Sequence, residues 1–598
     1  MNLFRQALSL MATVAVTAPG AARATPTKTP GAPVASPTSP ATQTSAGPSA
    51  PPLMSPAPQV LPNANAVTIR STELGKAAER GFDEWHFAEG RAQLAILAKS
   101  TPGSVEVSYL EGYARFLEGD YVGATSALGA ASRAAPEDPS VKELSVLAKA
   151  AGNAVKDHQE ARSTHFLVRY PVEDAVLVPY ALEALESAYD ALSADLGFAA
   201  DMPVRIEFYR SPSDLAVVSS LSVAEVARTG TIALCKWARL MVTTPRALSY
   251  GYPWLDSINH ELVHYAVSTL TRDRAPVWLQ EGLAKFLETR WREPAGAHLA
   301  PSMEHLLAKA LRGGKLISFD AMHPSMAKLP SAEDASLAFA EVATAIGYLH
   351  AHGGMAALRS AIAAVRDGMD ARKAVATAAQ GNWTDFERGW KGYMTGLKLK
   401  LYPGFDIPTA HIRKAGAIAS RRKPNEDEAL TSTAMKAVGP LRFLRLGNMM
   451  LKRNRPRAAV LEYEKGARAA ALSSSGRGRA GRVARGPDSA AAEWVFPVKL
   501  GRTYLALGEP DRALKALAGV QAIYPELPWP NLIAGQALLA KGDAPGAIVA
   551  VRASLATNPF DPAVHCTLAD AYAKLPTGDR PPQDRITREQ TYCRELAE

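Results

Sequence analysis

Apolar and polar positions along this chain change their period twice. Between Ile69 and Lys156 apolar residues recur at helical spacing, and the run from Tyr109 to Ala124 mixes small and large residues as a pair of packed helices does. From His165 the period shortens. His165–Tyr170, Pro203–Tyr209, Gly230–Leu234 and Leu240–Thr243 alternate or cluster apolar residues as strands, the last two joined by a short turn around Lys236. Between the first two strands, Ala175–Leu196 has helical spacing and Gly197 supplies a stop. A third change begins at Pro253, the start of a helix carrying Trp254, Leu255, Ile258, Leu262, Val263, Ala266 and Val267. A second helix runs from Pro276 to about Arg290, with Trp278, Leu279, Leu283, Phe286 and Leu287 apolar. Gly282 and Ala284 on it are small enough to let another helix backbone approach. Helices over Ala338–His350 and Gly354–Val365 complete an α+β region that closes near Leu399.

The C-terminal third is repetitive. Gly508 and Gly542, Ala513 and Ala547, and Pro525 and Pro559 are each 34 positions apart, the period of tetratricopeptide (TPR) helix pairs. An earlier copy over Leu446–Ala470 fits if Pro456 aligns with Pro510, and the longer offset implies an insertion, the Ser-, Gly- and Arg-rich segment 472–493. Stacked repeats bury a continuous core and expose a concave surface. They are expected here to recruit a protein partner as a separable module that touches the rest of the chain mainly at its ends.

At the N-terminus, Arg5, the apolar stretch Ala7–Ala18 and the small-residue sequence Ala22-Arg23-Ala24 read as a secretory signal peptide over 1–24. The apolar stretch is too short to cross a bilayer, though an uncleaved leader would leave the chain membrane-tethered. Residues 25–66, rich in Pro, Ser, Thr and Ala, bury too little apolar surface to order themselves and read as a disordered linker. The expected organisation continues with an N-terminal TPR-like helical segment at 67–158, a catalytic domain at 159–400 and a basic linker at 401–440. TPR repeats follow at 441–575, and a tail at 576–598. The product would be exported, periplasmic or extracellular.

The net charge of +9 is concentrated. Residues 411–490 hold 18 Lys/Arg and 6 Asp/Glu, a local balance of +12 that favours a polyanion or an anionic membrane surface, unless it is merely a solvated loop. Export argues against chromosomal DNA. Of the 3 cysteines, Cys566 and Cys593 are placed to form a bridge or to remain two buried thiols, and Cys235 reads as an apolar strand residue.

The chemistry lies in His260-Glu261-Leu262-Val263-His264, with Glu281 17 positions beyond His264. Two histidines four apart on a helix share a face and can reach one zinc ion. Glu261 lies about 100° round the helix, close enough to act on the reacting water as general base without ligating. Glu281 completes a His₂Glu donor set and leaves a fourth position open.

His-Glu-x-x-His followed by Trp278-Leu279-Gln280-Glu281-Gly282-Leu283-Ala284 resembles the gluzincin metallopeptidases, specifically the bacterial peptidase MA-like family, over about Ser163 to Leu399. It is also similar to the M1 aminopeptidases. Yet only 16 residues separate His264 from Glu281, fewer than in M1 enzymes, and no Gly-x-Met-Glu-Asn segment precedes the zinc helix. The resemblance implies a zincin-like α+β fold, one zinc ion per chain held by His260, His264 and Glu281, and Glu261 as catalytic base. It further implies a small sheet whose edge strand pairs with an extended peptide substrate, and hence endopeptidase chemistry rather than amine-anchored trimming. The family's oxyanion donor has no clear match, because Phe339 falls where a Tyr is expected. Tyr348, His350 and Tyr265 are the candidates, and Glu288 is a candidate to orient a ligand imidazole. Two other readings remain: a zinc-binding peptidase-like scaffold, and a TPR adaptor of the cell envelope with a fortuitous motif.

Overall fold

The structure is a computed structural model. It describes residues 72–402 apart from 220, 297–298, 324–325 and 327–328, together with 12–13, 16–17, 410–411, 413, 438–474 and 488–598. Two dipeptides of the leader-like segment form strands β1 (Ala12–Thr13) and β2 (Val16–Thr17). The remainder of 1–24, all of the 25–66 linker and most of the 401–440 linker lie outside the described residues, as do 475–487 of the insertion.

The N-terminal segment folds as α1 (Glu73–Asp83), α2 (Phe87–Ser100), α3 (Val105–Glu118), α4 (Tyr121–Ala134) and α5 (Pro139–Ala154). Ser104, Asp120 and Asp138 cap the last three by accepting from backbone N–H groups of the first turn. The small/large spacing has a direct use: a Cβ on Gly112 would meet Leu128 Cγ at 2.5 Å, so α3 and α4 approach only because the residue is glycine.

A six-stranded mixed sheet follows, built from β1, β3 (His158–Arg162), β4 (Phe166–Pro171), β5 (Val204–Tyr209), β6 (Thr231–Lys236) and β7 (Arg239–Thr243). Its order is β1-β6-β7-β5-β4-β3, with β4, β5 and β7 parallel and the others antiparallel to their neighbours. The helices α6 (Val178–Leu196), α7 (Pro212–Val217) and α8 (Val223–Thr229) sit between strands in sequence. Strand β5 is buried on both faces. Phe208 packs against Trp254 on one face, whereas Arg205, Glu207 and Tyr209 on the other meet α3 and α4. There Glu207 accepts from Tyr121 Oη (2.6 Å), Tyr209 Oη (2.6 Å) and Arg239 Nη1 (2.9 Å), and Arg205 Nη1 donates to the Leu117 carbonyl at 2.9 Å. The polar face of the strand is thus a buried ionic joint to the N-terminal helices, not a wet surface.

The helical half comprises α9 (Trp254–Thr271), α10 (Val277–Leu287), α11 (Pro301–Gly313), α12 (Ala332–Arg366), α13 (Ala371–Ala378) and α14 (Trp383–Gly396). The long α12 is kinked at Gly353–Gly354, where the backbone leaves helical geometry. Helix α10 rides on α12 at Gly282, whose added Cβ would sit 3.0 Å from the Val342 carbonyl oxygen. A dipeptide strand, β8 (Ala410–His411), pairs with β2.

The C-terminal third forms α15 (Val438–Lys452), α16 (Pro456–Ser474), α17 (Asp488–Ala506), α18 (Pro510–Ile523), α19 (Pro528–Ala540), α20 (Ala544–Leu555), α21 (Pro562–Lys574) and α22 (Gln583–Glu595). Pro528 and Pro562, which open α19 and α21, keep the 34-residue spacing. Both ends of the expected insertion are helical, at 472–474 and 488–493. The segment 576–598, expected as a tail, instead carries α22, and a Cys566–Cys593 disulfide ties it to α21. Cys235 is a buried free thiol within β6.

The last helices of this series pack against the region of the sheet and α9. The Tyr252 and Trp254 amides donate to the Thr557 and Ala556 carbonyls at 3.2 and 3.1 Å. Trp254 Nε1 donates to the Leu555 carbonyl at 3.1 Å. Tyr180 Oη donates to Glu589 at 2.7 Å, and Arg588 Nη1 pairs with Glu183 at 3.0 Å. Such side-on docking has no signature in a repeat period, which reports only how neighbouring repeats stack. Among the described residues no helix is long and apolar enough to cross a membrane.

Candidate metal centre

Helix α9 carries His260, Glu261 and His264 in its middle turns, all buried, and α10 lays Glu281 across them. His260 Nε2 and His264 Nε2 are 3.0 Å apart, and Glu281 Oε2 lies 3.2 Å from the first and 3.4 Å from the second. The outer nitrogens decide what these atoms are. His260 Nδ1 stands 3.0 Å from Glu288 Oε2, so its N–H donates there and leaves Nε2 a bare acceptor. His264 Nδ1 stands 3.3 Å from Gln280 Oε1, and the Gln280 amide is turned that way because its Nε2 donates to Ser268 Oγ at 3.1 Å. Two imidazole lone pairs and a carboxylate therefore converge on one point, an arrangement that repels itself unless a cation sits between. Tetrahedral coordination at ordinary zinc–ligand lengths would space neighbouring donor atoms by about 3.3 Å. The residues present fit a zinc ion.

Where no metal ion fills the convergence, a proton on His260 takes that role. Burial resists protonation of His260, but the Glu281 and Glu288 carboxylates outweigh it and raise the imidazole to about 9. Burial also opposes ionisation of Glu281, yet His264 and His260 hold it down to about 2. Glu288 is held at about 2 against burial by Lys285 and His260. Glu261 differs. Burial pushes its carboxyl up to about 7, only partly countered by the two histidines and by the nearby Cys235 backbone on β6. Both of its oxygens are buried without a hydrogen-bond partner among the described residues. A buried carboxyl with no partner and a pKa near neutrality suits a group that takes and returns a proton.

A cavity of about 1190 Å³ reaches the cluster through His260 and Glu288. One wall comes from α6, α9, α11 and α12; the opposite wall comes from α20, α21 and α22. The three oxyanion-donor candidates do not line it. Tyr265 follows His264 by one residue, which turns it away from the metal face and into the core against Trp85 and Phe198. Tyr348 faces α14, packing on Phe386 and Tyr393, and His350 rests on Phe286. Glu288 does reach His260. Sequence reasoning missed Gln280, whose only signal was a polar residue inside an otherwise apolar helix. It also missed Tyr250, Tyr252 and Tyr393, which line the cavity and had no signal.

Comparison with known proteins places this geometry. No curated protein matches the chain. Residues 184–396, from the middle of α6 to the end of α14, match the Peptidase MA superfamily, and the His-His-Glu cluster lies within the matched segment.

Proposed function

We propose that the chain is an exported zinc-dependent metallopeptidase of the gluzincin, peptidase MA-like type, hydrolysing peptide bonds within a protein or peptide substrate. The observation that carries this reading is the convergence of His260 Nε2, His264 Nε2 and Glu281 Oε2 on one point beside the buried Glu261 carboxyl. Zinc held by His260, His264 and Glu281 supplies a Lewis acid and makes water acidic enough to react near neutral pH. Glu261 is the general base: it takes the proton from the attacking water and returns it to the leaving amine. Glu288 and Gln280 fix the imidazole orientations. Strand β6, beside Glu261, offers its outer edge to an extended chain; Ala12–Thr13 already pairs there antiparallel, as a substrate strand would. The C-terminal helices are read as TPR repeats that engage a protein partner. The basic segment 411–490 is read as contacting a polyanion or anionic membrane surface.

A second reading, a zinc-binding scaffold without turnover, is favoured by the burial of Glu261, His264 and Glu281. One variant separates them. Glu261→Gln removes the base and keeps the donor set, so it should retain about one zinc per chain while hydrolysis of an unstructured peptide falls by several orders of magnitude. Equal, measurable turnover by wild type and Glu261→Gln would place the chemistry elsewhere. A zinc-loaded wild type that cuts no peptide would favour the scaffold.

A further inference from the structure

The cavity beside His260 is larger than the 300–1,000 Å³ usual for a small-ligand site, and the C-terminal helices with their connecting loops supply 12 of its 43 lining residues. Its lining is mostly aromatic and aliphatic: Tyr250, Trp291, Phe339, Tyr393 and Tyr572 all contribute. Val549 on α20 is a lining residue that is 73% exposed, an apolar side chain left facing the open space. The charged groups along the walls largely neutralise each other. Arg588 and Arg585 pair with Glu183 at 3.0 and 3.1 Å, Arg292 with Asp256 at 3.0 Å, and Lys285 with Glu288 at 2.8 Å. A charged substrate side chain entering here would lose its water and find most of these partners already engaged, Arg552 on α20 being the lining cation outside these pairs. A large apolar one would exchange water for rings.

We propose that the C-terminal helical hairpins are part of the substrate site, α20 and α21 forming the wall that selects a large apolar or aromatic residue next to the scissile bond. This inference rests on the peptidase reading above and adds the substrate class. The occupant is a stretch of extended peptide, because the space exceeds one side chain and opens at a ligand of the metal centre. The selecting surface lies nearly 300 residues from the zinc motif in sequence, so the repeats discriminate among substrates as well as bind partners.

Ala553 on α20 lines the cavity from the repeat side and is exposed, so Ala553→Trp fills the space without disturbing a packed core. Val549→Trp on the same wall is the second variant. The full-length, zinc-loaded protein is given peptides that differ only in Phe, Gly, Asp or Lys at each position flanking the cleavage point. Wild type should favour Phe by about tenfold or more on one side of the bond, and both variants should cut that ratio to Gly by a similar factor. Binding is measured in parallel, by fluorescence anisotropy of the labelled Phe peptide on Glu261→Gln with and without Ala553→Trp. The second change should weaken binding by the same factor. Turnover and binding that ignore both tryptophans would overturn the assignment. No turnover but tryptophan-sensitive binding would sink the peptidase reading and leave the cavity assignment standing. Neither turnover nor tryptophan-sensitive binding would remove both.

Discussion

Glu288, partly exposed, and Glu207, fully buried, are both carboxylates held low by cations, yet they serve different ends. Glu288 fixes the tautomer of His260, so Glu288→Ala should weaken zinc affinity by about 10–100-fold, read by competition with a chelator, with little change in fold. Glu207 is a structural ion. Burial opposes its charge, but Arg239 and Arg205 hold it at about 2 against an ordinary 4.5. A folded value below the unfolded one means that the unfolded chain binds the proton more tightly. The joint therefore stabilises fully above pH 4.5 and loses that contribution as pH falls toward 2, on the order of 3 kcal/mol. Thermal unfolding followed against pH should show this acid limb, and Glu207→Gln should flatten it. At neutral pH the same variant should cost about 3–5 kcal/mol, because Arg239 is left buried and short of its carboxylate.

At the scale of elements, the helix bearing His260 and His264 and four strands of the sheet were legible, whereas the packing between elements was not. His260 and His264 are four apart, and helical geometry alone puts them on one face; Trp278 and the small Gly282 mark α10 as a buried helix that passes close to another. Strand β3 escaped notice because His158-Gln159-Glu160-Ala161-Arg162 has no apolar alternation and is held by backbone pairing with β4. The tyrosine candidates failed for a related reason. Sequence places Tyr348 on a helix but does not say that its face meets α14. The docking of the C-terminal helices left a single local trace, Gly251. Its φ of +82° and its contact with Thr557, whose carbonyl oxygen would stand 2.1 Å from an added Cβ, require glycine. Gly251→Ala should force the Tyr250–Tyr252 turn off the repeats and lower stability by about 1–3 kcal/mol, seen as a drop in the thermal midpoint.

Across the whole molecule, the segment matching the Peptidase MA superfamily is clasped from both sides: by α3 and α4 on the polar face of the sheet, and by α20 to α22 against α6 and the start of α9. Deleting 441–598 should therefore yield a chain that aggregates or fails to retain zinc, scored by solubility and metal stoichiometry after gel filtration. A soluble, fully zinc-loaded truncation would show that the clasp is dispensable. The first turn of α9 has no side-chain cap of its own; the Ala556 carbonyl stands in for one by accepting from the Trp254 amide, while the Leu555 carbonyl holds the Trp254 indole. Synthesis runs from the N-terminus, so a nascent chain displays His260, Glu261 and His264 long before those carbonyls exist. The helix bearing them acquires its final anchor only once residue 557 has been made. The turn that precedes the His-Glu-x-x-His helix is thereby completed by a segment about 300 residues further along the chain, so both segments must be present before that helix is fully anchored.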